Sequence, residues 1–282
     1  MTSTVDLHIH TNASDGSDSP PQLAAKIRDA GIRLFSVTDH DTISGALEME
    51  ALVPEGVRYV RGVEFSCVSP AGKCHILGYG YDPTCPEFLS ALSEGRTLRL
   101  EKLERRLVKL REDFGITLTQ AELAWLYQQN SPGKPHLGNI LWKRGLEKDL
   151  DTAIQTYLKD VPGRDRIDAD TAVRAITAAG GFPVWAHPLG GEGETELTPE
   201  KFDAQLQTLL GYGIRGLECW YSRYSMEKVN FLLEQAKKHG LTVTGGSDYH
   251  GSNKKNLELG MLNTEETQCS VDSDTLYGII CK

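Results

Sequence analysis

Seven short apolar runs recur along the chain, and most of them end at a histidine, an aspartate or a glutamate. They cover residues 5–10, 34–38, 58–65, 73–79, 182–186, 216–219 and 241–245. Helical patterns separate most of them, at about 20–31, 44–53, 169–179, 199–210 and 227–238. Strands that alternate with helices imply an α/β chain with a mainly parallel sheet, here closed into a barrel. The third and fourth runs are the exception. Only Ser69-Pro70-Ala71-Gly72 lies near their junction, so they are expected to pair as a hairpin or to lie side by side.

In such barrels chemistry gathers at the C-terminal ends of the strands. His8 and His10 are two apart on the first run, so both imidazoles face one side and can reach one metal ion. His40 follows the second run, and Glu64 lies near the end of the third. His75 lies within the fourth, and His187 follows the fifth. Asp248 and His250 follow the last. The sixth, ending at Glu218 and Cys219, offers the weakest candidate. With Asp15 the candidate ligands are nine: His8, His10, Asp15, His40, Glu64, His75, His187, Asp248 and His250. That exceeds what one ion takes and suits two or three divalent ions with bridging carboxylates. Mixed nitrogen and oxygen donors suit manganese, iron or zinc. Of the eight histidines, only His136 and His239 fall elsewhere, and His239 suits the negative end of a helix closed by Gly240.

Residues 86–165 break the alternation and read as a small helical insertion covering the active site. The barrel is then formed by residues 1–85 and 166–282. Helices are expected over 96–114, 120–129, 136–144 and 150–158. The first carries Arg96, Arg99, Lys102, Arg105, Arg106, Lys109 and Arg111, read as a solvated face with ordinary helix ion pairs in preference to the alternative, a nucleic-acid binding surface.

Hydrophobic residues make up 39% of the chain and charged ones 24%, ordinary for a globular protein. No apolar run reaches membrane-spanning length and no secretory leader is visible, so a cytoplasmic protein is expected, with no membrane association and no obligate protein partner. The six cysteines form no Cys-x-x-Cys pair and read as reduced thiols. Alternation points Cys74 away from the neighbouring His75. A net charge of -9 argues against binding long nucleic acid through phosphate contacts alone. A small phosphorylated substrate or a short oligonucleotide remains open if metal ions supply local positive charge.

His8-Ile9-His10 with Ser14-Asp15-Gly16, Thr38-Asp39-His40-Asp41, Gly62-Val63-Glu64, His75, Ala186-His187-Pro188 and Gly246-Ser247-Asp248-Tyr249-His250 occur in an order that resembles the polymerase and histidinol phosphatase (PHP) superfamily. Within it the chain is most similar to stand-alone bacterial phosphoesterases. The resemblance implies a distorted seven-stranded (β/α)7 TIM-like barrel with the helical insertion after the fourth strand. It implies metal-dependent hydrolysis of phosphate esters by a hydroxide held between ions. Substrates in that branch include nucleoside 3',5'-bisphosphates and the 5' ends of short RNA. It also implies a first ion on His8, His10, Glu64 and Asp248, a second on Glu64, His75 and His187, and a third on Asp15, His40 and His250. Catalysis is thereby expected from His8, His10, Glu64, Asp248 and His250.

Outside these motifs the chain departs from the family. Lys134-Pro135-His136 and Asn139 stand where related chains often carry arginines, and Leu189-Gly190-Gly191 follows the His-Pro pair in place of an arginine. A lysine replaces a two-pronged phosphate fork with a point charge, which bears on the substrate more than on the reaction. Lys134, His136 and Arg223 are the candidate substrate contacts. The alternative for the first two is a plain helix start with Pro135 in its first turn. Asp6 is expected to orient a ligand histidine from behind, and Asp39 and Asp41 to do the same or to cap the following helix. A histidinol-phosphate-type phosphatase, an amidohydrolase-like hydrolase and a non-catalytic metal-binding module remain the alternatives.

Overall fold

The computed structural model describes residues 3–159, 161–191, 196–265 and 273–281. The first half of the barrel runs β1 (Val5–Ile9), α1 (Pro20–Asp29), β2 (Leu34–Val37), α2 (Ser44–Met49), β3 (Arg58–Ser69) and β4 (Gly72–Tyr79). Helices α3 (Pro86–Phe114), α4 (Gln120–Gln128), α5 (Lys134–Lys143) and α6 (Leu150–Tyr157) follow. The chain then returns through β5 (Ile167–Asp168), α7 (Ala169–Ala178), β6 (Phe182–Trp185), α8 (Pro199–Tyr212), β7 (Gly216–Tyr221), α9 (Met226–His239), β8 (Thr242–Gly246) and α10 (Ser273–Ile280).

Seven strands form a nearly closed barrel in the order β1-β2-β3-β4-β6-β7-β8, and the two-residue β5 lies off this ring against β3. The ends meet where the Asp248 amide donates to His8 O and the His10 amide to Tyr249 O, both at 2.8 Å. Gly246 permits this approach: a Cβ there would sit 2.1 Å from His8 Cβ. The helix signals work as read at α1. Pro20 and Pro21 begin it, Gln22 accepts the Ser19 amide at 2.9 Å, and Leu23 and Ile27, one turn apart, are fully buried.

β4 runs antiparallel to both of its neighbours, β3 and β6. Its beginning therefore stands at the rim where the other strands end, and His75 pairs with Ser66, beyond Glu64 on β3. Its end, Tyr79, pairs with Phe182 at the start of β6. The chain thus leaves the ring at the far end, and α3 must climb back. Its 29 residues span about 43 Å at 1.5 Å per residue. Phe88, Ala91, Leu92 and Leu98 pack on the barrel, whereas Leu103 and Leu110 belong to a separate apolar cluster with α4, α5 and α6.

The lower interior is apolar. Val5, Leu7, Val60, Leu77 and Val184 fill it, with Leu276 and Ile280 of α10 packed against them. Each such side chain contributes about 1.5–3 kcal/mol of burial free energy. Three features differ from the sequence reading. β5 is too short for alternation to reveal. α3 begins at Pro86, ten residues before the expected start at 96, and Gly95 in its buried stripe lies against Asp41. The weakly patterned tail from Asn256 onward supplies α10. Cys269 lies outside the described residues; Cys67, Cys74, Cys85, Cys219 and Cys281 are free thiols, and Cys67 and Cys74 sit in the core. Among the described residues no helix is long and apolar enough to cross a membrane.

Candidate metal centre

All nine candidate ligands meet at the upper rim, in four overlapping groups whose donor atoms lie within 4.8 Å of one another. Glu64 is central. Its Oε1 lies 2.8 Å from His75 Nδ1 and 3.1 Å from His187 Nε2. Its Oε2 lies 3.3 Å from His8 Nε2, 3.2 Å from His10 Nε2 and 3.0 Å from His40 Nδ1. Asp248 Oδ1 approaches His10 Nε2 at 3.4 Å and His8 Nε2 at 3.7 Å. Asp15 reaches His250 Nε2 at 3.2 Å, His10 Nδ1 at 3.6 Å and His40 Nε2 at 3.9 Å.

The backbone is bent to achieve this. Among the described non-glycine residues with positive φ are Asp41 at 50°, His187 at 27° and Asp248 at 59°. Such conformations cost about 1–3 kcal/mol each and persist where the surroundings over-determine them. Behind the rim, carboxylates hold the loops. Asp39 accepts from Thr11 N at 2.8 Å and from Ser14 Oγ at 2.6 Å, fixing the loop that carries Asp15. Asp41 accepts from Ser66 N at 3.0 Å and from Arg99 Nε at 2.5 Å, tying α3 to the barrel. Neither caps α2, whose cap position is Ile43. Asp6 touches no histidine ring. It accepts from Ser247 N and Oγ and from Gly260 N, so it positions the turn before Asp248.

The donor set fits divalent ions. His8 Nε2, His10 Nε2, Asp15 Oδ1, His40 Nδ1 and Glu64 Oε2 are buried, converge on each other and make no hydrogen bond. Buried polar atoms are rarely left so. Burial raises the pKa of Glu64, but the His40, His75 and His8 rings outweigh it and hold it well below the carboxylate range. Burial opposes charge on His10, yet Asp248, Glu64 and Asp15 lift it to about 9. His40 is pushed by burial down to about 4, against the pull of Glu64 and Asp15. Ions binding these rings compete with protons for the same nitrogens.

Above the rim opens a cavity of about 1230 Å³. Among the described residues its wall carries ten Lys and Arg against three Asp. Lys134 and Arg223 are on that wall. His136 is not: it is buried, and its Nδ1 accepts the Gly133 amide at 3.1 Å, the geometry of a helix start. The α3 cations divide. Arg105 pairs with Glu101 and Lys109 with Asp113, as an ordinary helix face. Arg99, Lys102 and Arg106, one turn apart, line the cavity, which corrects the reading of the whole helix as solvated. Sequence reasoning also passed over Lys254, whose Nζ meets Asp248 Oδ2, and underrated Glu218. Glu218 had one available signal: a lone carboxylate inside the apolar run Leu217–Tyr221 must find partners when buried.

Comparisons with known proteins agree with this geometry. The chain is 27% identical over 264 residues to a 3',5'-nucleoside bisphosphate phosphatase of Chromobacterium violaceum, covering 91% of this chain and 90% of that protein. It is 28% identical over 261 residues to a 5'-3' exoribonuclease of Haemophilus influenzae, covering 89% and 91%. A crystal structure from Bifidobacterium adolescentis, described as a candidate metal-dependent phosphoesterase, superposes with a TM-score of 0.80 at 29% identity and 93% coverage of both chains. The PHP domain itself matches residues 6–159, more than half of the 282, and takes in His8 through His75. The chain belongs to the PHP domain family.

Proposed function

We propose that the ester hydrolysed by this metal-dependent phosphoesterase is the terminal phosphate of a small nucleotide, such as a nucleoside 3',5'-bisphosphate, or of the 5' end of a short RNA. The observation that carries this reading is a basic cavity standing over a carboxylate whose two oxygens face different histidines. Although the chain carries a net charge of -9, its cations are concentrated where an anionic ester would sit. The volume of about 1230 Å³ suits a nucleotide with more than one phosphate better than a single phosphorylated amino alcohol.

In this reading His8, His10 and Asp248 hold one ion, His75 and His187 a second, and Asp15, His40 and His250 a third, with Glu64 shared between the first two. Divalent ions there supply positive charge toward phosphoryl oxygens and make water nucleophilic near neutral pH. The chain supplies the rest. Lys134 and Arg223 bind phosphate oxygens as the substrate enters. Arg99, Lys102 and Arg106 line the wall where the remainder of the polyanion lies. Asp39 and Asp6 keep the ligand loops in place, so no reorganisation is needed when charge develops. Helices α3 to α6 act as the substrate-facing domain above the barrel.

The test is hydrolysis by metal-loaded protein of a nucleoside 3',5'-bisphosphate, a 5'-phosphorylated short RNA and histidinol phosphate, beside Asp248→Ala and His10→Ala. Release of phosphate from the nucleotide or RNA by the native protein, and its loss in both variants, is expected. Equal rates in all three proteins, or a preference for histidinol phosphate, would overturn the reading.

A further inference from the structure

β7 contributes none of the nine candidate ligands, yet it touches three of them. Glu218 is fully buried. Its Oε1 lies 2.9 Å from His8 Nδ1, and its Oε2 accepts the His187 amide at 2.7 Å. Three residues later, Tyr221 donates its hydroxyl to Asp248 Oδ2 at 2.9 Å. On a regular strand, residues three apart face opposite sides. The pairing of β7 with β8 skips between Glu218 and Trp220, against Thr244 and Gly245, so Cys219 is an extra residue. Such a bulge re-aims the side chains that follow it. Leu217, Cys219, Trp220 and the ring of Tyr221 pack in the apolar core, while the Glu218 carboxylate and the Tyr221 hydroxyl both reach the rim.

We propose that Glu218 is a positioning residue for the metal centre: it selects the tautomer of His8 and clamps the strained backbone of His187, while the bulge lets Tyr221 orient Asp248 from the same strand. A carboxylate only accepts hydrogen bonds, so His8 must donate from Nδ1. Its Nε2 then presents a lone pair toward Glu64 and Asp248, the orientation a ligand nitrogen needs. The amide of His187, the residue whose φ is 27°, is held by the same group. One side chain thereby sets two histidines assigned to different ions. This inference rests on the metal-centre reading above.

Glu218→Gln separates this role from packing. Glutamine has the same shape, and its oxygen still accepts the His187 amide. Its NH2 group donates to His8 Nδ1 and so favours the opposite tautomer, with the proton on Nε2. Cobalt titration followed by visible absorption, with zinc competition for affinity, is expected to show one class of ions bound about 10–100-fold more weakly in this variant. The other ions should bind as in the native protein. Tyr221→Phe should weaken the same class. The tautomer is read directly in the zinc-loaded native protein by long-range proton–nitrogen NMR of the His8 ring, which needs no variant to fold. A His8 proton on Nε2 in the native protein, or native cobalt affinity in Glu218→Gln, would overturn the assignment to Glu218. A native protein that takes up no cobalt would instead overturn the metal centre itself.

Discussion

His75 Nδ1 and His187 Nε2 stand 3.2 Å apart, although 112 residues separate them in the chain. Both address the same oxygen of Glu64. The reversed β4 makes this contact possible, because it carries His75 to the rim beside β6, where the Ala186 amide bonds to His75 O at 3.1 Å. With the pair assigned to one ion, His75→Ala is expected to lose one equivalent of bound metal and keep the ions on the His8 and His10 side. Elemental analysis after dialysis measures this. The rate should fall by about 100-fold or more, the scale for removing one charge-stabilising group. An unchanged metal content would separate His75 from the centre.

Lys102 gives the substrate site a pH signature. Burial lowers its pKa to about 8; the hydrogen bond it donates to Asp165 opposes this, and Arg106 adds to it. It is a base, so its charge is present below that pH and lost above it. If its charge binds substrate phosphate, KM should be flat up to about pH 8 and rise above it, while kcat changes less. Lys102→Arg does not titrate in this range and should flatten the rise. KM profiles that coincide for the two proteins would remove Lys102 from substrate binding.

Glu122 ties the start of α4 to the end of α5. It accepts from Thr119 N at 2.7 Å and from Arg144 Nε at 2.8 Å. Chiefly through Arg144, its pKa falls from 4.5 to about 2. An acid with a depressed folded pKa stabilises the fold above its unfolded value and loses that contribution as pH falls toward 2. Urea unfolding at pH 7 should therefore show Glu122→Gln less stable by about 1 kcal/mol, a typical cap contribution. The gap should close between pH 4.5 and 2. A gap independent of pH would assign the loss to packing.

Gly246→Ala tests barrel closure. The new methyl would meet His8 Cβ at 2.1 Å and His8 N at 2.5 Å. These are backbone-level clashes that no side-chain rotation relieves. A cost above the usual 1–3 kcal/mol of overpacking is expected. Thermal unfolding should fall by several degrees, and zinc affinity should drop because His8 and Asp248 are driven apart. A native melting temperature would show that β1 and β8 have slack at this point.

The rim was legible because alternation and strand ends are local properties. His8 and His10 announce themselves two apart, and His40, His187 and His250 follow apolar runs. His75 lies within its run, and the turn at Ser69-Pro70-Ala71-Gly72 allows a hairpin; the reversal of β4 that a hairpin entails is what brings His75 to the rim. The α3 cations were misread. Spacing shows that Arg99, Lys102 and Arg106 share a stripe but not that a cavity lies opposite. The bulge at Cys219 shifts phase by one residue, which a period of two does not anticipate. His136 went the other way: a motif suggested a substrate contact, and the hydrogen bond from Gly133 shows a helix start.

The length of α3 has a mechanical consequence. One unbroken helix is embedded by its first half in the barrel and by its second half in the apolar cluster of the other helices. Between these anchors lies the Arg99 to Asp41 contact, immediately beside the rim. The helix that carries the wall cations Arg99, Lys102 and Arg106 is thus pinned at Asp41, one residue from His40, so cavity wall and ligand rim share a single attachment.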